Sequence, residues 1–245
     1  ISTHPAQTIL VSFLIVILVG ALLLMMPFTD PKGQGLDFID ALFTATSAVC
    51  VTGLIVVDTS AAFTLYGQII ILVLIQIGGL GIMLLSYFTV FIFRRTISIE
   101  DKMLISYMLS EKDMTKLAKS LMNIMYTTLV IEAVGAIILG FGIGPRTGGT
   151  IGATVFSAVF HSISAFCNAG FSLFSDSMER FRNVPSVVIP LALLIIAGGI
   201  SFAVIADLRR YVFGHVRRLI SRQIVRVERI SLNTQSVLVM TVSLL

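Results

Sequence analysis

Two stretches of the chain are variations on one short theme: Asp40-Ala-Leu-Phe-Thr-Ala-Thr-Ser-Ala-Val-Cys-Val-Thr-Gly53 and Ser157-Ala-Val-Phe-His-Ser-Ile-Ser-Ala-Phe-Cys-Asn-Ala-Gly170. They match at an offset of 117 residues, in the pairs Ala41/Ala158, Phe43/Phe160, Ser47/Ser164, Ala48/Ala165, Cys50/Cys167 and Gly53/Gly170. Each copy lies between two long apolar segments and is itself too short and too polar to cross a bilayer. Irregular backbone survives at membrane depth only where it lines a wet cavity, so the repeat predicts two half-crossing loops of a cation pore.

The composition is that of an integral membrane protein. Hydrophobic residues make up 56% of the chain and charged residues 12%, and the mean hydropathy is +1.00. Four segments are long and apolar enough to cross roughly 30 Å of hydrocarbon; they lie at about 9–26, 67–93, 119–143 and 186–206, and the third contains Glu132. The predicted fold class is an all-α integral membrane protein built from repeated span–pore-loop–span units.

Basic residues predict the orientation. The segments 94–119 and 207–236 hold 13 of the 17 Lys and Arg residues, so the positive-inside rule places both in the cytoplasm. Four aspartates, Asp30, Asp37, Asp40 and Asp58, then face outward. The net charge of +4 therefore reports topology and contact with anionic lipid, and it does not indicate nucleic-acid binding.

The order of segments predicts five regions. These are a first span–pore helix–span unit (1–93), a cytoplasmic linker (94–118), a second unit (119–206), a basic cytoplasmic segment (207–236) and the start of a third unit (237–245). Short helices are expected at about 37–48 and 151–165, and a Gly/Pro-rich turn at 142–149. Since the chain starts at Ile1 and ends on half a span, we expect it to be part of a longer protein.

Glycine at the end of each half-crossing suits an ion path. Selecting K⁺ requires a ring of backbone carbonyls that replaces the hydration shell, and Gly tolerates the backbone geometry that such a ring needs. Gly53 and Gly170 follow short helices whose negative dipole ends favour a cation. The alternative is that each Gly only ends its helix at the C′ position.

Three stretches together resemble a known family. They are Ala45-Thr-Ser-Ala-Val-Cys-Val-Thr-Gly-Leu-Ile-Val-Val-Asp58, Gln76-Ile-Gly-Gly-Leu-Gly81 and Phe160-His-Ser-Ile-Ser-Ala-Phe-Cys-Asn-Ala-Gly-Phe-Ser172. They are similar to pore-loop signatures of the Trk/Ktr/HKT superfamily of K⁺ transporters, closest to the Ktr membrane (translocating) subunit. The resemblance implies four units with pseudo-fourfold symmetry in a bacterial cytoplasmic membrane. It also implies a homodimer on a cytosolic nucleotide-binding ring, and a gate in the third unit, outside this chain.

The resemblance also implies which carbonyls bind K⁺. By position they belong to Val51, Thr52 and Gly53 in the first unit, and to Asn168, Ala169 and Gly170 in the second. A Gly at the first filter position resembles the K⁺-selective members, and a Na⁺ or mixed Na⁺/K⁺ transporter of the same architecture is the alternative. We expect no cofactor in this chain, with a nucleotide acting only through the cytosolic partner.

Several residues within the spans are further candidates. Gly78, Gly79 and Gly81, with Gly198 and Gly199, are expected to allow close helix packing, a hinge being the alternative. Glu132 is an intramembrane acid, which binds or relays an ion or pairs with a polar or basic group on another helix. His161 is expected to be a packing residue rather than a pH sensor. Cys50 and Cys167 are expected to be small packing side chains rather than a disulfide or metal ligands.

Two other classes of function find little support. An intramembrane hydrolase would use His161, Ser162 or Ser164 with Glu132, but neither a Gly-x-Ser-x-Gly nor a His-Glu-x-x-His motif occurs. A structural or receptor-like membrane protein does not need half-crossing loops. The sequence therefore predicts a protein that is not an enzyme and that moves K⁺ across the membrane.

Overall fold

The computed structural model of the chain describes residues 5–81, 117–200, 204–205, 207–208, 211 and 232–244. In these ranges the regular structure consists of helices, which confirms the predicted all-α class. The α-helices are α1 (Pro5–Leu24), α2 (Phe38–Val49), α3 (Thr59–Ala62), α4 (Leu65–Gly79), α5 (Leu117–Thr147), α6 (Ile151–Phe166), α7 (Pro185–Gly199) and α8 (Leu232–Leu244). Single turns of 3₁₀-helix occupy Pro27–Thr29 and Glu179–Phe181.

The first long helix ends two residues before the end of the span predicted at about 9–26. Helix α1 ends at Leu24, and the hydroxyl of Thr29 donates to the carbonyls of Leu24 (2.8 Å) and Met26 (2.7 Å). The last carbonyls of a helix have no partner within the helix, so this hydroxyl compensates for the stop. The turn that follows is closed by Asp30, whose carboxylate accepts from the backbone N–H groups of Lys32 and Gln34.

The two short helices begin and end within one residue of the bounds expected from the sequence. Helix α6 begins after Thr150, whose side chain accepts from the N–H of Ala153 and caps the helix. Helix α2 begins after Asp37, whose side chain makes no such bond, and Asp40 lies in its first turn. A carboxylate there interacts favourably with the positive end of the helix dipole.

The predicted turn from Gly142 to Gly149 is wrong over most of its length. Helix α5 continues to Thr147 with Pro145 inside it. The guanidinium of Arg146 donates to the carbonyl of Gly142 at 2.8 Å, and the Thr147 hydroxyl is 3.4 Å from the carbonyl of Ile143. Both side chains thus reach back by one turn to carbonyls of the same helix. The stop itself is Gly148, with a φ of 60°.

Only one described helix meets the length and hydropathy of a membrane span, the 26-residue part Met122–Thr147 of α5. Helices α4 and α7 cover the first parts of the spans predicted at 67–93 and 186–206, and residues 82–93 lie outside the described part. The linker predicted at 94–118 and the basic segment at 207–236 also lie almost wholly outside it. Helix α8 begins at Leu232, five residues before the third unit predicted at 237.

The helices form two groups in contact. In the first helical group, α1 and α4 pack against α2; in the second helical group, α5 and α7 pack against α6, and α4 joins the groups by contacting α6. Each group has its own buried cluster, although Phe160, Ala169 and Phe171 of the second group belong to the cluster of the first. Large apolar side chains such as Ile39, Phe141 and Ile151 are exposed, at 77%, 80% and 85%. Apolar surface on this scale suits contact with lipid.

Candidate ion-binding loops

Both short helices end in the same hydrogen-bond pattern. After α2, the N–H of Thr52 donates to the carbonyl of Ser47 (2.8 Å) and the N–H of Val51 to that of Ala48 (3.3 Å). After α6, Ala169 donates to Ser164 (2.7 Å) and Asn168 to Ala165 (3.0 Å). A pair of bonds with this spacing is the Schellman motif, which reverses the chain direction at a helix C-terminus. The 117-residue offset in the sequence is thus repeated in the backbone.

The left-handed position of each motif is not glycine. Val51 has a φ of 54° and Asn168 a φ of 58°. Asn adopts this conformation with modest cost, but a β-branched residue there is an outlier that the surrounding structure has to hold in place. The side chain of Asn168 has such support, because its Nδ2 lies within 3.4 Å of the carbonyls of Phe166 and Ile195.

Gly53 and Gly170 lie two residues beyond the C′ positions, so the alternative that each glycine merely ends its helix at C′ is wrong. Their φ angles are 79° and 73°. The two loops meet at these glycines: a Cβ on Gly53 would lie 2.7 Å from the carbonyl oxygen of Ala169 and 3.2 Å from the Cα of Gly170. Both backbone conformation and backbone contact therefore exclude a side chain at Gly53.

Glycines of α4 and α7 lie directly behind the ends of the short helices. A Cβ on Gly78 would overlap the carbonyl of Val49, and a Cβ on Gly198 would overlap that of Phe166. Val49 and Phe166 are the last residues of α2 and α6. Close backbone packing at small residues is the usual way for helices to approach within a membrane.

Gly79 makes the corresponding contact between the two groups. A Cβ there would overlap the sulfur of Cys167, the residue that caps α6. Gly199 and Gly81 differ, because no heavy atom of the described residues lies within 4 Å of a Cβ placed on either. Gly81 has a φ of 81° at the end of the described part of this segment, so it departs from helical geometry.

Side chains of α6 hold the second loop. The hydroxyl of Ser164 donates to the carbonyl of Phe171 at 2.7 Å. His161 donates from Nδ1 to the carbonyl of Ser157 (2.7 Å), and its Nε2 accepts from the N–H of Leu173 (3.3 Å) and faces the hydroxyl of Ser172 (3.0 Å). One ring nitrogen of His161 is thus a hydrogen-bond donor and the other an acceptor. His161 is a buried residue that positions the chain segment after Gly170.

The first loop lacks this attachment. Thr44 and Ser47 occupy the positions that correspond to His161 and Ser164, and both are buried. Their hydroxyl oxygens have no hydrogen-bond partner among the described residues. Buried hydroxyls are normally bonded, so these two are available to a group outside the described residues or to water.

Two acidic residues lie where the chain returns from the loops. Asp58 caps α3 and accepts from the N–H (2.8 Å) and hydroxyl (2.7 Å) of Ser60, whose hydroxyl lies 2.9 Å from that of Ser175. Hydrogen bonding from Ser175 and Ser60 holds the pKa of Asp58 below its usual value. Asp176 pairs with Arg180 at 2.6 Å, and the hydrogen bond from this guanidinium lowers the pKa of Asp176. Asp58 therefore stays ionised at neutral pH and contributes negative charge to this end of the molecule.

Glu132 lies in α5 and is 3% exposed. Its Oε1 accepts from Nε2 of Gln76 on α4 at 3.1 Å, and its backbone carbonyl accepts from the hydroxyl of Ser162 on α6 at 2.7 Å. The bond to Gln76 is a polar contact with another helix, and ion binding or relay by Glu132 stays a prediction. Both cysteines are free thiols, and no group of three His, Cys, Asp or Glu side chains in the described ranges is placed to hold a metal ion.

The arrangement defines a class of protein: an apolar helical protein in which two equivalent, sharply turned loops meet at glycine. A family model for the TrkH cation transport proteins matches residues 2–236. The chain belongs to the TrkH family of cation transport proteins. This membership confirms the resemblance seen in the pore-loop signatures.

The relatives are transporters. The chain is 46% identical over 205 residues to Ktr system potassium uptake protein B of Vibrio alginolyticus, covering 84% of this chain and 44% of that protein. It is 39% identical over 206 residues to the protein of the same name in Bacillus subtilis, covering 84% and 45%. It is 38% identical to potassium/sodium uptake protein NtpJ of Enterococcus hirae, covering 84% and 46%. The chain thus spans less than half of the length of these relatives. The family and the relatives are named for cation transport and uptake, which confirms the prediction that the chain is not an enzyme.

Sequence reasoning missed the supports of the loops. The match of Ser47 with Ser164 in the repeat was a signal for an anchoring hydroxyl, but it did not distinguish the bonded Ser164 from the unpartnered Ser47. Nothing in the repeat pointed to Val51 as a left-handed residue. In the sequence, Gln76 stands out only as the start of the motif that ends at Gly81. A polar residue within an apolar span is nevertheless itself a signal of a buried partner.

Proposed function

We propose that this chain forms half of a K⁺ translocation path across a bacterial cytoplasmic membrane. The observation that carries the proposal is the meeting of two equivalent loops at Gly53 and Gly170, with 3.2 Å between the Cα of one and the Cβ position of the other. Backbone that turns this sharply at the end of a buried helix suits a pore lining. The choice of K⁺ as the ion rests on the names of two relatives, which are potassium uptake proteins.

In this proposal the ion is bound by backbone carbonyls. They belong to Val51, Thr52, Gly53, Asn168, Ala169 and Gly170. A ring of carbonyl dipoles replaces the hydration shell of K⁺, and the C-terminal ends of α2 and α6 add their negative dipole ends. In this proposal the chain needs no cofactor, and K⁺ is the cargo.

A selective ring needs more carbonyls than two loops provide, and unequal burial of equivalent residues supports four units. Phe160 is fully buried against the first group, whereas its equivalent Phe43 is 40% exposed. Cys167 lies against Gly79, whereas Cys50 is exposed. Gly199, the equivalent of Gly79, lacks a neighbour in the described residues. Two further units, one on each side, would cover Gly199 and Cys50 in the same manner.

The second candidate ion is Na⁺, alone or with K⁺. The observation that favours it is the likeness to NtpJ, which is named a potassium/sodium uptake protein. Gly53 at the first filter position favours K⁺ within this architecture. The loops of the two further units decide between the candidates, because they supply the rest of the ring.

The function is tested by uptake into cells that lack their own K⁺ transport. We expect the intact protein to restore growth at low K⁺ and to take up Rb⁺, a K⁺ substitute, in preference to Na⁺. A Gly33→Ser variant is a useful positive control, because a Cβ on Gly33 meets nothing within 4 Å. Uptake of Na⁺ at an equal or higher rate would replace the K⁺ proposal by the Na⁺ one, and absence of both would contradict transport.

We further propose that residues 94–118 and 207–236 face the cytoplasm and contact a partner there. The partner is a cytosolic nucleotide-binding ring, and the membrane protein itself is a homodimer in contact with anionic lipid. In this proposal the units are 1–93 and 119–206, and residues 237–245 begin a third. The support is the concentration of basic residues in the two segments.

The orientation makes its own prediction. Single cysteines placed in either segment, in an intact protein with Cys50 and Cys167 replaced by serine, should resist an impermeant thiol reagent applied to whole cells. They should react once the cells are opened. A cysteine at Ser175, near the proposed outer mouth, is the matched control and should react from outside. Labelling of the two basic segments in whole cells would contradict the orientation.

A further inference from the structure

Glu132 and Gln76 form a buried polar contact between the two helical groups. The carboxyl of Glu132 on α5 accepts from the amide of Gln76 on α4 at 3.1 Å. The same residue is tied to α6 through its backbone carbonyl, which accepts from Ser162. Glu132 thus contacts α6, the helix that precedes the second loop, and α4, the helix that carries Gly78.

The side chains of Glu132 and Gln76 each have one oxygen that forms no hydrogen bond with the described residues. Glu132 Oε2 and Gln76 Oε1 are both buried, and both lack a hydrogen-bond partner among the described residues. Both are acceptors when the carboxyl is ionised, so neither can satisfy the other. The one ion pair that the described residues show joins Arg180 to Asp176, far along the chain. An ionised carboxylate in a membrane without a basic partner is costly.

One proton on the Glu132 carboxyl would allow the two unsatisfied oxygens to form a hydrogen bond with each other. We infer that Glu132 is a neutral carboxylic acid that forms a cyclic pair with Gln76. In this pair the Gln76 amide donates from Nε2 to Glu132 Oε1, and the Glu132 hydroxyl at Oε2 donates to Gln76 Oε1. Every polar atom of the two side chains that faces the contact is then bonded, as buried polar groups require.

The repeat does not require this pair at every unit. Gly20 and Gly135 occupy equivalent places, since each packs against a leucine of the second long helix of its group. On that correspondence, Glu132 is matched by Ile17 in α1. Gly78 corresponds to Gly198, so Gln76 is matched by Ile196 in α7. The equivalent positions in these two groups are apolar, so neither Ile17 nor Ile196 could form the same acid–amide pair with a further unit.

The pair therefore specifies which neighbours meet. Four similar units can be ordered around an axis in more than one way, and apolar contacts between similar helices discriminate poorly. A buried polar pair that is satisfied at one contact and broken at all others selects that contact, which is the best-attested role of such groups. Glu132 and Gln76 act as positioning residues that fix the second loop beside the first.

The charge state can be read from the infrared spectrum of the intact protein. Protein labelled with ¹³C-glutamate should show, at neutral pH, the C=O stretching band of a protonated carboxyl, and this band should be lost in Glu132→Gln. The Glu132→Gln variant should stay folded, because its amide can both donate to and accept from Gln76. Glu132→Leu leaves the Gln76 amide without its hydrogen-bond partner, so it should lower the melting temperature by about 5 °C.

The reciprocal swap is the decisive control. Gln76→Glu combined with Glu132→Gln should restore both the protonated-carboxyl band and the melting temperature, with uptake close to that of the parent. If the parent shows no protonated-carboxyl band that Glu132→Gln removes, Glu132 is ionised and the inference is overturned. A carboxylate band that moves when K⁺ or Na⁺ is added would also overturn it and assign the two oxygens to a cation. The parent–Glu132→Gln comparison suffices if Glu132→Leu does not fold.

Discussion

Replacing Gly53 by serine should lower the preference for Rb⁺ over Na⁺ uptake by the intact protein by about tenfold or more. The Cβ would lie 2.7 Å from the carbonyl oxygen of Ala169, so one of the two proposed filter strands has to move. The φ of 79° adds strain for any residue with a Cβ. The measurement is the ratio of Rb⁺ to Na⁺ uptake in cells lacking other K⁺ transporters.

A matched control separates loop contact from backbone strain. Gly33 has a φ of 69° and open space around its Cβ position, so Gly33→Ser introduces similar strain without touching either loop. We expect Gly33→Ser to leave the uptake ratio unchanged. If Gly53→Ser also leaves it unchanged while the protein reaches the membrane, Gly53 is not part of the selective path.

The second large effect is expected at the glycines behind the short helices. Gly198→Ala should abolish accumulation of folded protein, and Gly78→Ala should do the same. In each case the new methyl group overlaps a backbone carbonyl at the end of α6 or α2. A clash with backbone cannot be relieved by a change of rotamer, so we expect a loss of about 3 kcal/mol or more. Size-exclusion chromatography of purified intact protein measures the folded yield.

Gly152→Ala is the control for this pair. Gly152 is also helical, its Cβ position is open, and alanine is the better helix former, so the yield should be equal or higher. Gly199→Ala completes the set, because the described residues leave its Cβ position open while the proposed four-unit ring covers it. A normal yield of Gly198→Ala would show that α7 and α6 do not pack as described.

Much of this arrangement could be predicted because its causes are local. The bounds of α2 and α6 follow from local features, an acidic Asp40 in the first turn of α2 and the Thr150 cap before α6. Repetition alone marks Gly53 and Gly170. The end of α5 could not be predicted this way, since Pro145 usually stops a helix. Here the helix continues through Pro145 to Thr147, and the side chains of Arg146 and Thr147 lie against the carbonyls of Gly142 and Ile143 one turn earlier.

The supports of the loops depend on contacts between distant segments, which a repeat does not reveal. Ser47 and Ser164 are identical in sequence position but differ in bonding, because only the second loop has a carbonyl, that of Phe171, within reach. The partner of Glu132 lies 56 positions away in the chain, on the other helical group. Periodicity and composition carry no information on such pairings, whereas the polar character of Gln76 and Glu132 marks both as needing one.

In the proposed ring, the contact of Gly79 with Cys167 relates the order of synthesis to the order in which the loops gain their supporting helices. Gly79, in the second long helix of the first group, contacts the loop that follows it in the chain. In the proposed ring, α7 would support the next loop by the same relation. During synthesis each loop would therefore emerge onto a support already in place. The exception in the proposed ring is the first loop, because the exposed Cys50 would be covered only by the last unit. In that proposed ring, the wall around the pathway would be complete only when synthesis ends.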